Sequence, residues 1–139
     1  MSFEYTTEVE VRYADIDTYG HVNNATYATY FEEARIDYLD DVVDAGEALL
    51  SDSGSGVGIV IANLEADYSK PVRISDTVAV AVRVPRLGEK SFPFEYEVRT
   101  DEGVAATGET TVVTYDRDTE SSRPIPEDWR DAITQFEGL

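Results

Sequence analysis

Residues 12–35 read RYADIDTYGHVNNATYATYFEEAR, and this stretch decides the fold. In its second half, which continues past residue 35, apolar residues recur every three or four positions, the period of a helix with one buried face. Asn23 or Asn24 is suited to cap the start of this helix, which is predicted to end before Gly46. One long helix with an apolar stripe needs a sheet to cover it. The stripe consists of Tyr27, Tyr30, Phe31, Ala34, Tyr38 and Val42.

The segment before the helix alternates apolar and polar residues, as a half-buried strand does. Residues 4–14 (EYTTEVEVRYA) therefore predict a first strand. Turn-forming residues from Asp15 to Asn24 separate this strand from the helix. The core-facing side of the strand is expected to carry Tyr5, Val9, Val11 and Tyr13.

Two more strands are predicted from apolar runs after the helix. Beyond a flexible loop at 51–58 (SDSGSGVG), the apolar run 59–64 predicts a buried strand that continues towards Tyr68. A turn at Asp101–Gly103 leads into residues 104–115, which are rich in Thr and Val and predict a long strand.

A hairpin is predicted between these two strands. Valines alternate over residues 78–84 and apolar residues alternate over 92–98, with residues 86–90 as the connection. Pro93 lies within the second run, which predicts either an edge position or a bulge, because proline has no N–H to donate.

The predicted order is a strand, a long helix, about four mostly antiparallel strands and a short terminal helix over Pro126–Phe136. This order is typical of an α+β two-layer domain. A length of 139 residues predicts a single domain across residues 1–139. One helical layer leaves a sheet face or edge uncovered, so we expect a homo-oligomer.

The charge balance limits the classes of partner. Asp and Glu total 29 against 11 Lys and Arg, which gives a net charge of −18. Such a chain repels nucleic acid and anionic membranes. Self-repulsion of this size favours a protein adapted to a saline cytoplasm, as in halophiles, where salt screens the charges, over an ordinary acidic protein.

The remaining composition indicates a cytoplasmic protein. The chain has no cysteine, which excludes disulfides and thiolate chemistry. No apolar run reaches the roughly 20 residues that a membrane-spanning helix needs. The first residues, MSFEYTTEVEVRY, have no basic stretch followed by an apolar one, so no secretion signal is predicted.

The loop before the helix concentrates groups that can do chemistry: Asp15, Asp17, the single histidine His21, and the carboxamides Asn23 and Asn24. Unpaired N–H groups at a helix start polarise a carbonyl oxygen and stabilise a developing oxyanion. A carboxylate just upstream can attack that carbonyl or activate a water. These groups suffice for acyl transfer or thioester hydrolysis without a metal or an organic cofactor.

Structural interpretations of the same residues stay open. The two aspartates can be turn formers, the asparagines a helix cap, and His21 a loop histidine or a metal ligand beside the aspartates. A metal site ranks low, because no second group of ligands is recognisable. Serine hydrolases, phosphate loops and dinucleotide sites are disfavoured by the absence of their motifs.

The run from Arg12 to Arg35 resembles the signature of hotdog-fold acyl-CoA thioesterases, specifically the 4-hydroxybenzoyl-CoA thioesterase-like family. The matching elements are Asp15-Ile-Asp17, Gly20-His-Val-Asn-Asn24, Tyr27 and Glu32-Glu-Ala-Arg35. Similar segments continue through nearly the whole chain. They are Asp67-Tyr-Ser-Lys-Pro71, Arg86-Leu-Gly-Glu-Lys-Ser-Phe92 and Pro124-Ile-Pro126.

The resemblance implies a curved antiparallel sheet wrapped around the long helix, in dimers or tetramers with active sites at the dimer interface. It implies that Asp17 acts as nucleophile or general base and that the backbone N–H near Asn24 polarises the thioester carbonyl. His21 and Asn23 are expected to line or orient the site. Glu32 and Arg35 are expected to hold the helix. The implied substrate contacts are Tyr27, Lys90 and Ser91, the last two meeting the phosphates of coenzyme A.

Two rival functions belong to the same scaffold. One is an acyl-thioester-binding protein without turnover, and the other is a hydratase or dehydratase with Glu65 as a spare carboxylate. The sequence also leaves the acyl group open. Aromatic residues near the helix start can shape an acyl pocket or belong to the core, namely Tyr19, Tyr27, Tyr30 and Phe31.

Overall fold

The computed structural model describes residues 2–45 and 56–139. A single-turn 3₁₀ helix spans Tyr13–Asp15. Of the predicted loop 51–58, residues 51–55 lie outside the described part of the chain. The other elements are, in chain order, β1 (Tyr5–Val9), α1 (Thr26–Val43), β2 (Val57–Tyr68), β3 (Val78–Arg83), β4 (Ser91–Thr100), β5 (Gly103–Asp116), β6 (Ser121–Ser122) and α2 (Glu127–Glu137).

The strands form one antiparallel sheet in the order β1-β3-β4-β5-β2, with β6 beside the end of β5. Helix α1 packs on this sheet, so the predicted α+β two-layer architecture and the predicted β3–β4 hairpin are confirmed. Within the described residues, β1 and β2 are the edge strands. The site-bearing loop, residues 16–24, lies between the edge strand β1 and the start of α1.

Helix α1 buries its aromatic stripe against the middle of the sheet. The Phe31 ring stacks on the Tyr96 ring of β4, with centroids 4.5 Å apart. A Cβ added to Gly108 of β5 would lie 2.5 Å from this phenyl ring, so glycine is required there. The buried residues of α1 are Tyr27, Tyr30, Phe31, Ala34, Arg35, Tyr38 and Leu39.

The first strand is shorter than predicted. It ends at Val9, and the chain then closes a 3₁₀ turn in which Asp15 N–H donates to Arg12 O (2.9 Å). This turn breaks the two-residue alternation, so Tyr13 is 86% exposed. The prediction that Tyr13 faces the core is therefore wrong, whereas Val11 is buried as predicted.

The second strand exists as predicted but is not buried. Strand β2 pairs with β5 on one side, and the other side has no strand among the described residues. Its helix-facing apolar residues are left half-exposed, with Ile61 38%, Leu64 46% and Tyr68 47% exposed. An apolar run predicts that its residues are buried, but it does not identify the surface that covers them.

Pro93 lies in β4, opposite Thr111 of β5. The predicted edge position is wrong for β4 as a whole, because β4 lies between β3 and β5. Pairing with β3 ends where Arg83 meets Glu95, so β3 has already stopped at the level of Pro93. Proline is tolerated there because one side of β4 no longer has a strand that would need its N–H.

The terminal helix α2 is confirmed close to its predicted limits, with Trp129 and Ile133 buried. Its last turn is tied to the rest of the fold through Glu137. The Glu137 carboxylate accepts a hydrogen bond from the Tyr38 hydroxyl (2.7 Å) and another from Val84 N–H (2.8 Å). In the part of the chain described, no helix has the length and apolarity to cross a membrane.

Candidate functional site

The loop that carries Asp17 is a miniature hairpin. Gly20 N–H donates to Asp17 O and Asp17 N–H donates to His21 O, and each N···O distance is 3.0 Å. Gly20 has φ +83°, a left-handed conformation that glycine adopts without steric cost. The Asp17 carboxylate accepts the Tyr19 N–H through Oδ1 (2.9 Å). Its Oδ2 has no hydrogen-bond partner among the described residues, so one carboxylate oxygen is open to a ligand.

Asp15 has a different environment. It is 3% exposed and accepts hydrogen bonds from Arg12 N–H (2.9 Å), the Arg12 guanidinium (3.0 Å) and the Tyr30 hydroxyl (2.9 Å). Burial by itself raises the pKa of this carboxyl, but the donors from Arg12 and Tyr30 outweigh it and hold the pKa below its usual value. Asp15 therefore fastens the loop to α1.

The start of α1 leaves one amide free. The residue before Thr26 is Ala25, which has no capping side chain, so the predicted cap is displaced. Asn23 Oδ1 instead accepts a hydrogen bond from Ala25 N–H, and Asn23 O accepts one from Thr26 N–H, each with an N···O distance of 2.9 Å. The Asn24 N–H takes part in no hydrogen bond with the residues that the structure describes.

A cavity of about 620 Å³ opens in front of this helix start. Five of the predicted site residues line it together. These are Asp17, His21, Asn23, Asn24 and Tyr27. The other aromatic residues that were candidates for an acyl pocket have two different locations. Tyr19 lines the cavity, whereas Tyr30 and Phe31 are buried in the core. Asp17 and Asn24, which carry the free carboxylate oxygen and the free amide, thus line the same cavity.

The end of β2 supplies a wall that was not predicted. Tyr68 donates its hydroxyl to Asn24 O (3.1 Å), and its ring meets the Tyr27 ring edge-on at 5.0 Å. A hydrogen bond from Val22 N–H to Val72 O (2.8 Å) holds the loop against the same segment. The available signal was the Asp67–Pro71 stretch at the end of a strand. The added wall residues are Tyr68, Ser69, Lys70 and Pro71.

Lys90 and Ser91 do not join this cavity within one chain. Ser91 pairs with Val113, whereas Tyr68 pairs with Ala106, seven residues away along β5. At about 3.3 Å per residue this separates the two places by roughly 23 Å. Lys90 and Ser91 therefore do not line this cavity within one chain, and their contact with the substrate stays a prediction.

The helix residues Glu32 and Arg35 lie on the flank of α1, away from the cavity lining. Arg35 is buried and donates to the Tyr96 hydroxyl (3.2 Å), while Glu32 is 3.9 Å from its guanidinium. Arg35 thereby links the helix to the sheet. Glu65, the spare carboxylate of a hydratase, is exposed opposite Glu109 and does not line the Asp17 cavity. No group of metal-ligating residues was found among the described residues.

Comparison with known proteins gives consistent matches. Residues 11–133 match the family described as the thioesterase-like superfamily. The chain is 28% identical to the long-chain acyl-CoA thioesterase FadM of Escherichia coli, over 94% of this chain and 97% of that protein. It is 25% identical to the 1,4-dihydroxy-2-naphthoyl-CoA hydrolase of Synechococcus elongatus, over 91% of this chain and 94% of that protein.

Solved structures agree. A thioesterase from Thermus thermophilus, complexed with coenzyme A and Zn, has a TM-score of 0.81 and 34% identity over 96% of this chain and 95% of its own. The DHNA-CoA thioesterase from Staphylococcus aureus has a TM-score of 0.82 and 27% identity over 96% of this chain and 91% of its own. The predicted hotdog fold is confirmed by these likenesses.

Proposed function

The chain belongs to the thioesterase-like superfamily and is a thioester hydrolase, and on that premise we propose that it hydrolyses an acyl-CoA to a carboxylic acid and free coenzyme A through Asp17. We place it in the 4-hydroxybenzoyl-CoA thioesterase-like group on the residues of its site loop. One observation carries the mechanism: the open Oδ2 of Asp17 and the unpaired N–H of Asn24 belong to residues that line the same cavity.

The Asn24 N–H is the proposed donor to the thioester oxygen. The carbonyl of the preceding peptide, Asn23 O, accepts from Thr26 N–H and so points into the helix. In a trans peptide the N–H points opposite to the carbonyl, so the Asn24 N–H points away from the helix, towards the loop. A donor held there stabilises the oxyanion that develops when the carbonyl carbon is attacked.

Asp17 is the proposed reacting group. As nucleophile, Oδ2 attacks the thioester carbon, the thiolate of coenzyme A leaves, and water hydrolyses the resulting anhydride. As general base, the same oxygen takes a proton from a water that attacks the carbon directly. Either course needs the carboxylate held still, which the bond from Tyr19 N–H to Oδ1 supports. His21 and Asn23 orient the site through the backbone of His21 and the side chain of Asn23.

We further propose that two copies pair through β2 and complete each other's site. The open edge of β2 and its half-exposed apolar residues favour addition of a second β2 in antiparallel orientation. A two-fold axis through the middle of β2 would exchange its two ends. That operation brings the Lys90–Ser91 end of one copy beside the Asp17 cavity of the other, where a phosphate of coenzyme A can meet Lys90.

A panel of short-chain, long-chain and aromatic acyl-CoAs tests the function. Each is assayed for thiol release in molar salt, with the spontaneous rate of each thioester as control. We expect turnover of at least one class. Stoichiometric binding without thiol release would favour the acyl-thioester-binding alternative, and hydration of an enoyl-CoA without thiol release would favour the hydratase.

A further inference from the structure

We propose that Tyr68 is a positioning residue, whose hydroxyl fixes the peptide that leads into α1 and thereby aims the Asn24 N–H at the substrate carbonyl. This inference rests on the proposed function. Its basis is the hydrogen bond of 3.1 Å from the Tyr68 hydroxyl to Asn24 O, which joins the last residue of β2 to the site loop 44 positions earlier in the chain.

Tyr68 reaches the loop from a rigid support. Its backbone pairs with Ala106 of β5, and the next two residues, Ser69 and Lys70, both donate their N–H groups to Ala105 O (2.8 and 3.1 Å). The Tyr68 ring is held edge-on against Tyr27, which is 3% exposed. The hydroxyl is therefore presented from the sheet, with the ring resting against Tyr27.

The hydroxyl completes the restraint on Asn24. The peptide before Asn24 is held because Asn23 O accepts from Thr26 N–H. The peptide after it is held at both of its polar atoms, because Asn24 O accepts from Tyr68 and Ala25 N–H donates to Asn23 Oδ1. With both neighbouring peptide planes fixed, the two backbone dihedrals of Asn24 are fixed as well. Removing the Tyr68 hydroxyl leaves the bonds from Ala25 N–H and Thr26 N–H in place but takes away the bond that ties Asn24 to β2, so the Asn24 N–H loses this link to the sheet.

Such a restraint acts mainly on the transition state. A hydrogen bond to the thioester oxygen strengthens as negative charge develops, so its alignment affects kcat more than substrate binding. Loss of a complete oxyanion donor costs about 10²–10³ in kcat in other enzymes, and loosening one donor should cost less. We expect Tyr68→Phe to lower kcat about tenfold while KM changes less than about twofold, the magnitudes following the same reasoning.

The experiment compares Tyr68→Phe with Tyr13→Phe on the best substrate of the acyl-CoA panel. Tyr13 is 86% exposed, lies outside the cavity and donates no hydrogen bond from its hydroxyl to any described residue, so its variant should keep wild-type kcat and KM. Backbone amide spectra of ¹⁵N-labelled protein provide a second readout. The Asn24 and Ala25 signals should shift in Tyr68→Phe and stay in place in Tyr13→Phe.

An unchanged kcat in Tyr68→Phe, or a rise in KM with kcat preserved, would overturn the inference, as would unshifted Asn24 and Ala25 signals. These failures leave the proposed function intact, because the wild type still hydrolyses its substrate. If the wild type releases no thiol from any thioester, the proposed function fails, and the positioning role falls with it.

Discussion

At the scale of single residues, Asp15 and Asp17 show how two identical side chains, two positions apart, come to differ. Asp15 is buried beneath Tyr30 with both carboxylate oxygens bonded, whereas Asp17 keeps Oδ2 open beside the cavity. Because the turn that starts at Asp17 reverses the chain, the two side chains occupy different surroundings. Their substitutions should therefore separate stability from catalysis.

Asp17→Asn should fold normally and lose turnover. The asparagine keeps an oxygen that can accept the Tyr19 N–H, so the loop geometry is retained, but it is neither a nucleophile nor a base. We expect kcat to fall about 10³-fold, within the range that general-base catalysis contributes. Thiol release measures the rate, and circular dichroism and thermal unfolding check the fold. Turnover near that of wild type in a folded variant would reject the assignment of Asp17.

Asp15→Asn should lower stability and affect turnover less than Asp17→Asn does. The change removes the charge from a carboxylate that binds Arg12 and Tyr30, and hydrogen bonds to a charged group contribute about 1.5–3 kcal/mol each. We expect the free energy of unfolding to fall by about 2 kcal/mol, measured with urea. Wild-type stability in this variant would show that Asp15 does not fasten the loop.

The pH dependence provides the control for that variant. The pKa of Asp15 is lowered in the folded protein from its usual 3.8, so its contribution to stability is complete above that value. It is lost as pH falls from 3.8 through the lowered pKa. The difference in unfolding free energy between wild type and Asp15→Asn should therefore shrink in that acid range and be constant at neutral pH.

Within the loop, sequence spacing was sufficient to predict that its candidate site residues lie together. Asp17, His21, Asn23 and Asn24 are close in the chain, so a strand end, a turn and a helix start place them together. Tyr68 was missed because it joins the cavity only through the pairing of β2 with β5, which no local pattern specifies. Asn23 was correctly expected near the helix start. Its side chain accepts a hydrogen bond from Ala25 N–H, which precedes the first helical residue. A regular N-cap side chain would instead accept from an amide inside the first turn.

At the scale of elements, β2 explains both a success and an error of prediction. The apolar run 59–64, continuing towards Tyr68, predicted a strand correctly, because its β-branched and aromatic residues suit an extended chain, although the strand begins two residues earlier, at Val57, inside the predicted loop 51–58. It predicted burial wrongly within one chain, because an apolar run does not specify which surface covers it. The exposed residues lie on the helix-facing side of an open edge, where Leu64 is opposite Thr110.

Leu64→Glu should prevent association through β2 and reduce activity. A carboxylate at this place would be buried without a partner when two edges meet. Sedimentation should change from a dimer to a species near the chain mass of 15.4 kDa, and kcat/KM should fall by at least about 100-fold, since the proposed site needs both copies.

Thr6→Glu is the matched control for Leu64→Glu. Thr6 is exposed on β1, the opposite edge of the described sheet, so its variant should remain dimeric and active. A Leu64→Glu protein that stays dimeric with full activity would contradict the β2 interface. So would a wild type that is monomeric at assay concentrations.

At the scale of the whole molecule, part of the net charge of −18 is concentrated on one face of the sheet. On the outer face of the sheet, Glu65, Glu109 and Glu95 lie directly opposite one another on three neighbouring strands. Arg83 ends this row and pairs with Glu95 at 2.9 Å. Like charges placed opposite each other destabilise a sheet. Salt should relieve this repulsion by screening.

Salt should therefore be needed for both folding and activity. The screening length falls from about 10 Å at 0.1 M salt to about 3 Å at 1 M. We expect the midpoint of thermal unfolding and kcat/KM to rise together as KCl is titrated, because the substrate is also an anion. Glu109→Gln should need less KCl for the same stability than wild type. Full folding and activity in dilute buffer would contradict the halophilic interpretation.

The contact between Phe31 and Gly108 couples the substitutions that two positions far apart in the chain can accept. A methyl group at 108 would lie 2.5 Å from the phenyl ring, and that ring is buried and stacked on Tyr96, which pairs with Gly108 on the neighbouring strand. Neither position can explore larger residues alone, so single-substitution libraries will record both as intolerant. Substituting both positions together, with a smaller residue at 31 and a larger one at 108, should give folded proteins that successive single substitutions would not reach.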